Sequence, residues 1–150
     1  GHESHRGLSL RKTITPIAQS VAGRWTVGDL VRVTLEMHAE SELGWVVIHD
    51  PIASGSSILG KGFARESVLA QAGLNSAPWP SASPTHIERA NDSYRAYYQH
   101  VERGTWQTEY VLRLNNAGRF HFPPTRIAAM YAPEIYGETL NPSLEVHERK

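Results

Sequence analysis

The side chains able to do chemistry in this chain are histidines, carboxylates, serines and tyrosines, because cysteine is absent. That absence removes disulfides, thiolate nucleophiles and cysteine-held zinc together. Eight histidines invite a metal reading. Yet His38 lies on the polar side of an alternating segment, His121 stands between phenylalanines, and His2 and His5 fall at the start. None of the spacings is H-x-x-x-H or H-E-x-x-H, which would gather imidazoles on one element, so no metal site is expected. His49 and Asp50 with Ser54 or Ser56 offer the residue types of a hydrolytic triad, but no G-x-S-x-G elbow accompanies them. Glu36, Glu40 and Glu42 read as a solvent face and turn rather than a paired-carboxylate site. Gly60-Lys61-Gly62 is too short to cradle phosphate. The chain reads as no enzyme, with no catalytic residue and no cofactor.

Charge narrows the partners. Lys plus Arg (15) equal Asp plus Glu (15), so the basic field that binding a phosphate backbone requires is missing and nucleic acid is not an expected partner. No apolar run reaches the roughly 20 residues of a spanning helix, so direct membrane insertion is not expected.

Two aromatic groupings remain. In Tyr94-Arg95-Ala96-Tyr97-Tyr98, strand alternation puts Tyr94 and Tyr98 on one face and Tyr97 with Arg95 on the other. The cluster suits a sugar- or peptide-stacking platform, or else aromatics that pack the sandwich core or a domain interface. The second grouping runs from Phe122 through Pro123-Pro124-Thr125 to Met130-Tyr131-Ala132-Pro133 and Tyr136-Gly137. Two prolines open a short strand, a Met-Tyr pair falls at its tip, and Pro133 is expected to stop it. Loops at sandwich ends are where such domains place function.

The elements that must hold these residues read as strands. Val31, Val33, Leu35 and Met37 alternate with Arg32, Thr34, Glu36 and His38, a half-buried strand after the Gly28-Asp29 turn. Ser41 to Gly44 turn the chain into a second strand from Trp45 to Ile48. Trp106, Thr108, Tyr110, Leu112 and Leu114 share one face of another, and Asn115-Asn116-Ala117-Gly118 reads as a hairpin turn into Arg119 to Phe122. Leu8 to Ile14, Tyr94 to Val101 and Thr125 to Met130 are further strands. A short helix is expected over Phe63 to Ala72, ended by Gly73, and a proline-rich loop from Leu74 to Thr85. The sum is all-β: an immunoglobulin-like antiparallel sandwich over residues 7–147, after a vector-derived, disordered start at 1–6 and before a tail at 148–150.

Several segments in order resemble the C-terminal macroglobulin-like domain of bacterial α2-macroglobulins. They are Val27-Gly28-Asp29-Leu30-Val31-Arg32-Val33, Val46 to Ile52, Gly104 to Arg113, and Phe122 to Tyr131. The resemblance implies a piece of a periplasmic protease trap, cleaved in a bait region, that rearranges around its target and in many members couples to it through a thioester. The Cys-x-x-Gln of that thioester is absent here. In the family it lies on a separate domain that the terminal domain covers, which makes the thioester domain and neighbouring macroglobulin-like domains the implied partners, and target proteases partners through the whole molecule. Met130 and Tyr131 match the shielding pair; Tyr136 and Tyr97 are further interface aromatics. Lipid anchoring of the whole molecule at the inner membrane stays open. So does a different class, a free-standing adhesion or glycan-binding module using Tyr94 to Tyr98 and Trp79.

Overall fold

The computed structural model describes residues 3–59 and 84–149. Alternating patterns become strands wherever one side can be buried, and thirteen are present among the described residues: β1 (Glu3–Arg6), β2 (Leu8–Ala18), β3 (Trp25–Thr26), β4 (Leu30–Ala39), β5 (Leu43–Pro51), β6 (Ser57–Ile58), β7 (His86–Arg89), β8 (Ser93–Val101), β9 (Gly104–Arg113), β10 (Gly118–Phe120), β11 (Thr125–Ala129), β12 (Ala132–Thr139) and β13 (Leu144–His147). They form a six-stranded sheet ordered β1-β12-β11-β5-β8-β7, a four-stranded sheet ordered β2-β4-β9-β6, and a small sheet ordered β10-β13-β3. Every pairing is antiparallel except β13 with β3.

The two larger sheets face each other, as the sequence reading expects of an immunoglobulin-like sandwich. Val31, Val33, Leu35 and Met37 of β4 meet the inward residues of β5, Val46 and Ile48, in one buried core. Tyr94 stacks on Tyr110 with centroids 4.2 Å apart, and Tyr98 meets Trp106 edge-on at 6.0 Å, so the aromatic layer spans both sheets.

Several boundaries differ from the reading of the sequence. Asn115 and Asn116 do not turn a hairpin. Their amides bind the loop that follows β5: Asn115 Nδ2 donates to the Gly55 carbonyl at 2.9 Å and to Ser57 Oγ at 2.8 Å, and Asn116 Nδ2 donates to the Ser54 carbonyl at 2.9 Å. With those groups engaged, β10 leaves β9 and pairs with β13 instead. Pro133 does not end a strand; it sits in a bulge near the start of β12, where the register with β11 jumps from Ala129 opposite Ala132 to Ala128 opposite Tyr136. Glu3 to Arg6, expected as part of a disordered start, form β1 and pair with β12 through Glu3 opposite Thr139 and Arg6 opposite Tyr136. The expected helix at Phe63 to Ala72 lies outside the described residues, as does the proline-rich loop up to residue 83.

Gly137 fixes how closely β2 crosses β12. A Cβ there would lie 2.7 Å from the Leu8 carbonyl oxygen, whereas at Gly44 the nearest contact would be an ordinary 3.7 Å. Backbone cannot yield as a side chain can. Gly137→Ala is therefore expected to lower stability by about 1–3 kcal/mol in urea unfolding, and Gly44→Ala by less than about 1 kcal/mol. Equal effects would show that the close crossing is not a constraint.

Candidate functional site

Met130 and Tyr131 are the two residues of the turn that joins β11 to β12, a two-residue hairpin tip. Tyr131 is 82% exposed and Met130 43%, the only adjacent pair among the exposed large hydrophobic side chains of the described residues. The tip is held by its backbone. Met130 N–H donates to the Trp45 carbonyl at 2.8 Å, which carries the β5–β11 ladder one residue past its last pair, Ala129 opposite Val46. Trp45 adopts φ +47°, a left-handed conformation uncommon for a bulky residue, so this corner of the sheet has a defined and costly shape. A rigid hairpin thus carries an aromatic ring and a thioether into solvent, the arrangement of a contact surface rather than of a core.

The two further aromatics expected at an interface, Tyr136 and Tyr97, lie on the outer face of the same sheet. Tyr136 is half-buried beneath the Arg126 guanidinium, 4.5 Å from its ring centroid, and Arg126 also pairs with Glu138 at 3.3 Å. Tyr97, three strands from Tyr136 in the sheet order, donates its hydroxyl to Glu88 Oε1 at 2.6 Å, and that bond raises its pKa above the ordinary value. Tyr97 and Tyr136 are therefore placed on one face but are separated from each other by β5 and β11.

Two alternative readings lose their geometry. His49 and Asp50 are consecutive in β5 and point to opposite faces: His49 is half-exposed on the outer face, between Arg126 of β11 and Arg95 of β8, while Asp50 is fully buried. Desolvation first, then the Arg95 charge, lowers the His49 pKa. No serine can be served by that pair as a triad. The glycan platform loses Tyr94 and Tyr98, which are 1% and 3% exposed and belong to the core.

What the sequence reading missed is the surrounding of Asp50. Its Oδ1 accepts from Lys12 Nζ at 2.6 Å and from Thr125 Oγ1 at 2.7 Å, and its Oδ2 accepts from the Tyr110 hydroxyl. Lys12 is on β2 and Tyr110 on β9, in the four-stranded sheet; Asp50 and Thr125 are on β5 and β11, in the six-stranded sheet. One carboxylate therefore binds both layers. The signal was present: Lys12 follows Leu8 and Leu10 in the inward phase of its strand, and Asp50 follows Val46 and Ile48 in the inward phase of β5. A charge in each of two core phases requires a partner, and the two supply each other.

Comparison with known proteins gives a consistent neighbourhood. The family model described as the bacterial alpha-2-macroglobulin MG10 domain matches residues 7–134. An alpha-2-macroglobulin homolog of Nostoc sp. (strain PCC 7120 / SAG 25.82 / UTEX 2576) is 27% identical over 123 residues, covering 82% of this chain and 6% of that protein. This chain therefore spans a small fraction of the relative's length. Among solved structures, trypsin-activated alpha-2-macroglobulin from Escherichia coli superposes with a TM-score of 0.75 at 21% identity, over 97% of this chain and 11% of that one. Salmonella alpha-2-macroglobulin reacted with methylamine does so at 0.73 and 17% identity, over 98% and 10%. At these identities the structural likeness shows the fold.

The Asp50 cluster has two measurable consequences. Asp50→Ala leaves the buried Lys12 ammonium without its counter-charge and is expected to cost about 3–5 kcal/mol in urea unfolding. A loss below about 1 kcal/mol would contradict the cluster. Burial first, then the Asp50 charge and hydrogen bond, hold the Tyr110 phenol well above its ordinary pKa of 10.0. Above pH 10 the unfolded chain has lost a proton that the folded protein keeps, so the unfolded state binds fewer protons and stability falls as pH rises. The expected slope is about 1.4 kcal/mol per pH unit above pH ~10, with no contribution from this group below it. Tyr110→Phe should reduce the alkaline slope by that amount, as read from urea titrations on both sides of pH ~10; an unchanged slope would show that Tyr110 ionises alike in both states.

Proposed function

The chain belongs to the MG10 domain family of bacterial α2-macroglobulins, and from that membership we propose that it is a non-catalytic terminal domain of a periplasmic protease trap whose hairpin tip covers a reactive thioester on a neighbouring domain. The observation that carries the reading is the exposed Met130-Tyr131 pair on a backbone pinned by Trp45. An acyl thioester survives in water only while water is kept from it. Covering it asks for apolar surface in a fixed place, not for a titrating group.

A thioether beside an aromatic ring suits that task. The Met side chain adapts to an uneven wall and the tyrosine ring is broad and stiff, so together they exclude water over a small area. Burying such a side chain contributes about 1.5–3 kcal/mol, enough to hold a cover yet small enough for a conformational change to lift it. The same domain then needs no catalytic residue of its own. Protease capture, bait cleavage and covalent coupling fall to other parts of the full-length protein, and this domain contributes packing against neighbouring macroglobulin-like domains.

Tyr131→Ala in the full-length protein tests this reading. The side chain is 82% exposed, so the domain's own stability should change by less than about 0.5 kcal/mol. Thiol appearing spontaneously in the resting protein, followed with a chromogenic disulfide reagent, should rise several-fold. A mutant thiol-release rate equal to that of the unaltered protein would remove Tyr131 from the cover.

A further inference from the structure

We infer that the end of the sandwich beside β13 is a binding pocket for a compact, neutral, largely apolar molecule that carries one carbonyl acceptor. The cavity there holds about 340 Å³, within the range of small-molecule sites. Ile14, Trp25, Val33, Leu112, Phe122 and Leu144 supply apolar wall, Lys12 and Tyr110 reach it from the core, and the half-exposed Glu145, paired with Arg119 at 3.5 Å, lines its rim. Ile14 belongs to the inward phase of β2 with Leu8 and Leu10, yet it is 44% exposed where they are 1% and 4%. The sheets part at this point instead of closing on each other.

The acceptor follows from Lys12. An ammonium has three N–H donors. Asp50 Oδ1 takes one at 2.6 Å, and no other described residue accepts from it, although the side chain is only 9% exposed. Donors left over in so dry a place need an acceptor from whatever fills the space.

The charge state of the ligand follows from the same pair. Lys12 and Asp50 already cancel, and Glu145 at the rim is paired with Arg119, so a carboxylate would bring an uncompensated negative charge into the core, and an ammonium beside Lys12 would meet like charge. A neutral carbonyl accepts the spare N–H and adds no charge. The site thus selects by what it rejects as well as by what it holds.

Three probes with one body separate these cases: 4-phenylbutanamide, 4-phenylbutyrate and 4-phenylbutylamine, titrated into the 150-residue chain while the Trp25 indole and the Ile14 and Leu144 methyls are followed by NMR. The amide should give saturable one-to-one shifts, and the two charged probes should bind about tenfold more weakly or worse. Leu144→Trp, which fills the mouth from a half-buried position, should abolish binding while leaving the melting temperature close to that of the unaltered chain. Absence of saturable shifts for the amide would overturn the pocket. Equal affinity for all three heads would overturn the role of Lys12, and undiminished binding by a folded Leu144→Trp chain would place the probe elsewhere. Because the head-group comparison uses the unaltered chain, it stands even if the variant fails to fold.

Discussion

Asp50 is the point on which both layers of the sandwich depend. A carboxylate with no exposure is costly in a core unless its oxygens are fully engaged, and here three donors from three strands engage them. An apolar core of the same volume would carry no such desolvation cost, so net stability is not what the arrangement chiefly supplies. What it supplies is uniqueness. Lys12, Tyr110 and Thr125 can reach one carboxylate only with β2 and β9 in a single register over β5 and β11, and a slip of one residue would turn Lys12 outward and strand Asp50.

That constraint extends to the exposed tip. Thr125, the first residue of β11, is bonded to Asp50, and β11 then runs five residues to Ala129, about 17 Å of extended chain, before Met130. The strand is paired on both sides, with β5 and with β12, so a shift at the Asp50 end would be carried to the tip. The bulge at Pro133 and the left-handed Trp45 close the other end. A surface residue as exposed as Tyr131 is ordinarily free to wander; this one is set on a short, rigid arm rooted in the core.

How much of this the sequence disclosed follows from what each pattern depends on. Alternation needs only one buried face, so Val31 to Met37, Tyr94 to Val101 and Trp106 to Leu112 were legible as strands and their inward residues as core. The Met130-Tyr131 tip was legible because proline and a paired apolar dipeptide are local signals. Contacts distant in sequence were not. Asn115 and Asn116 have turn chemistry, but it is used on Ser54 to Ser57, some 60 residues away, and β10 joins β13 for that reason. Pro133 looked like a stop because its missing N–H matters only if a partner expects it, and the bulge removes that expectation. Lys12 falls in the inward phase of β2, yet nothing local names Asp50, 38 residues on, as its counterpart.

The most direct test of the protective role is thiol titration of the full-length protein, before and after a broad-specificity protease, with this domain present and with it deleted. The account requires a thiol that stays hidden in the intact resting protein, appears on proteolysis, and appears without proteolysis when the domain is missing. A thiol that remains equally hidden in the resting protein with and without the domain, and emerges only on cleavage in both, would contradict it.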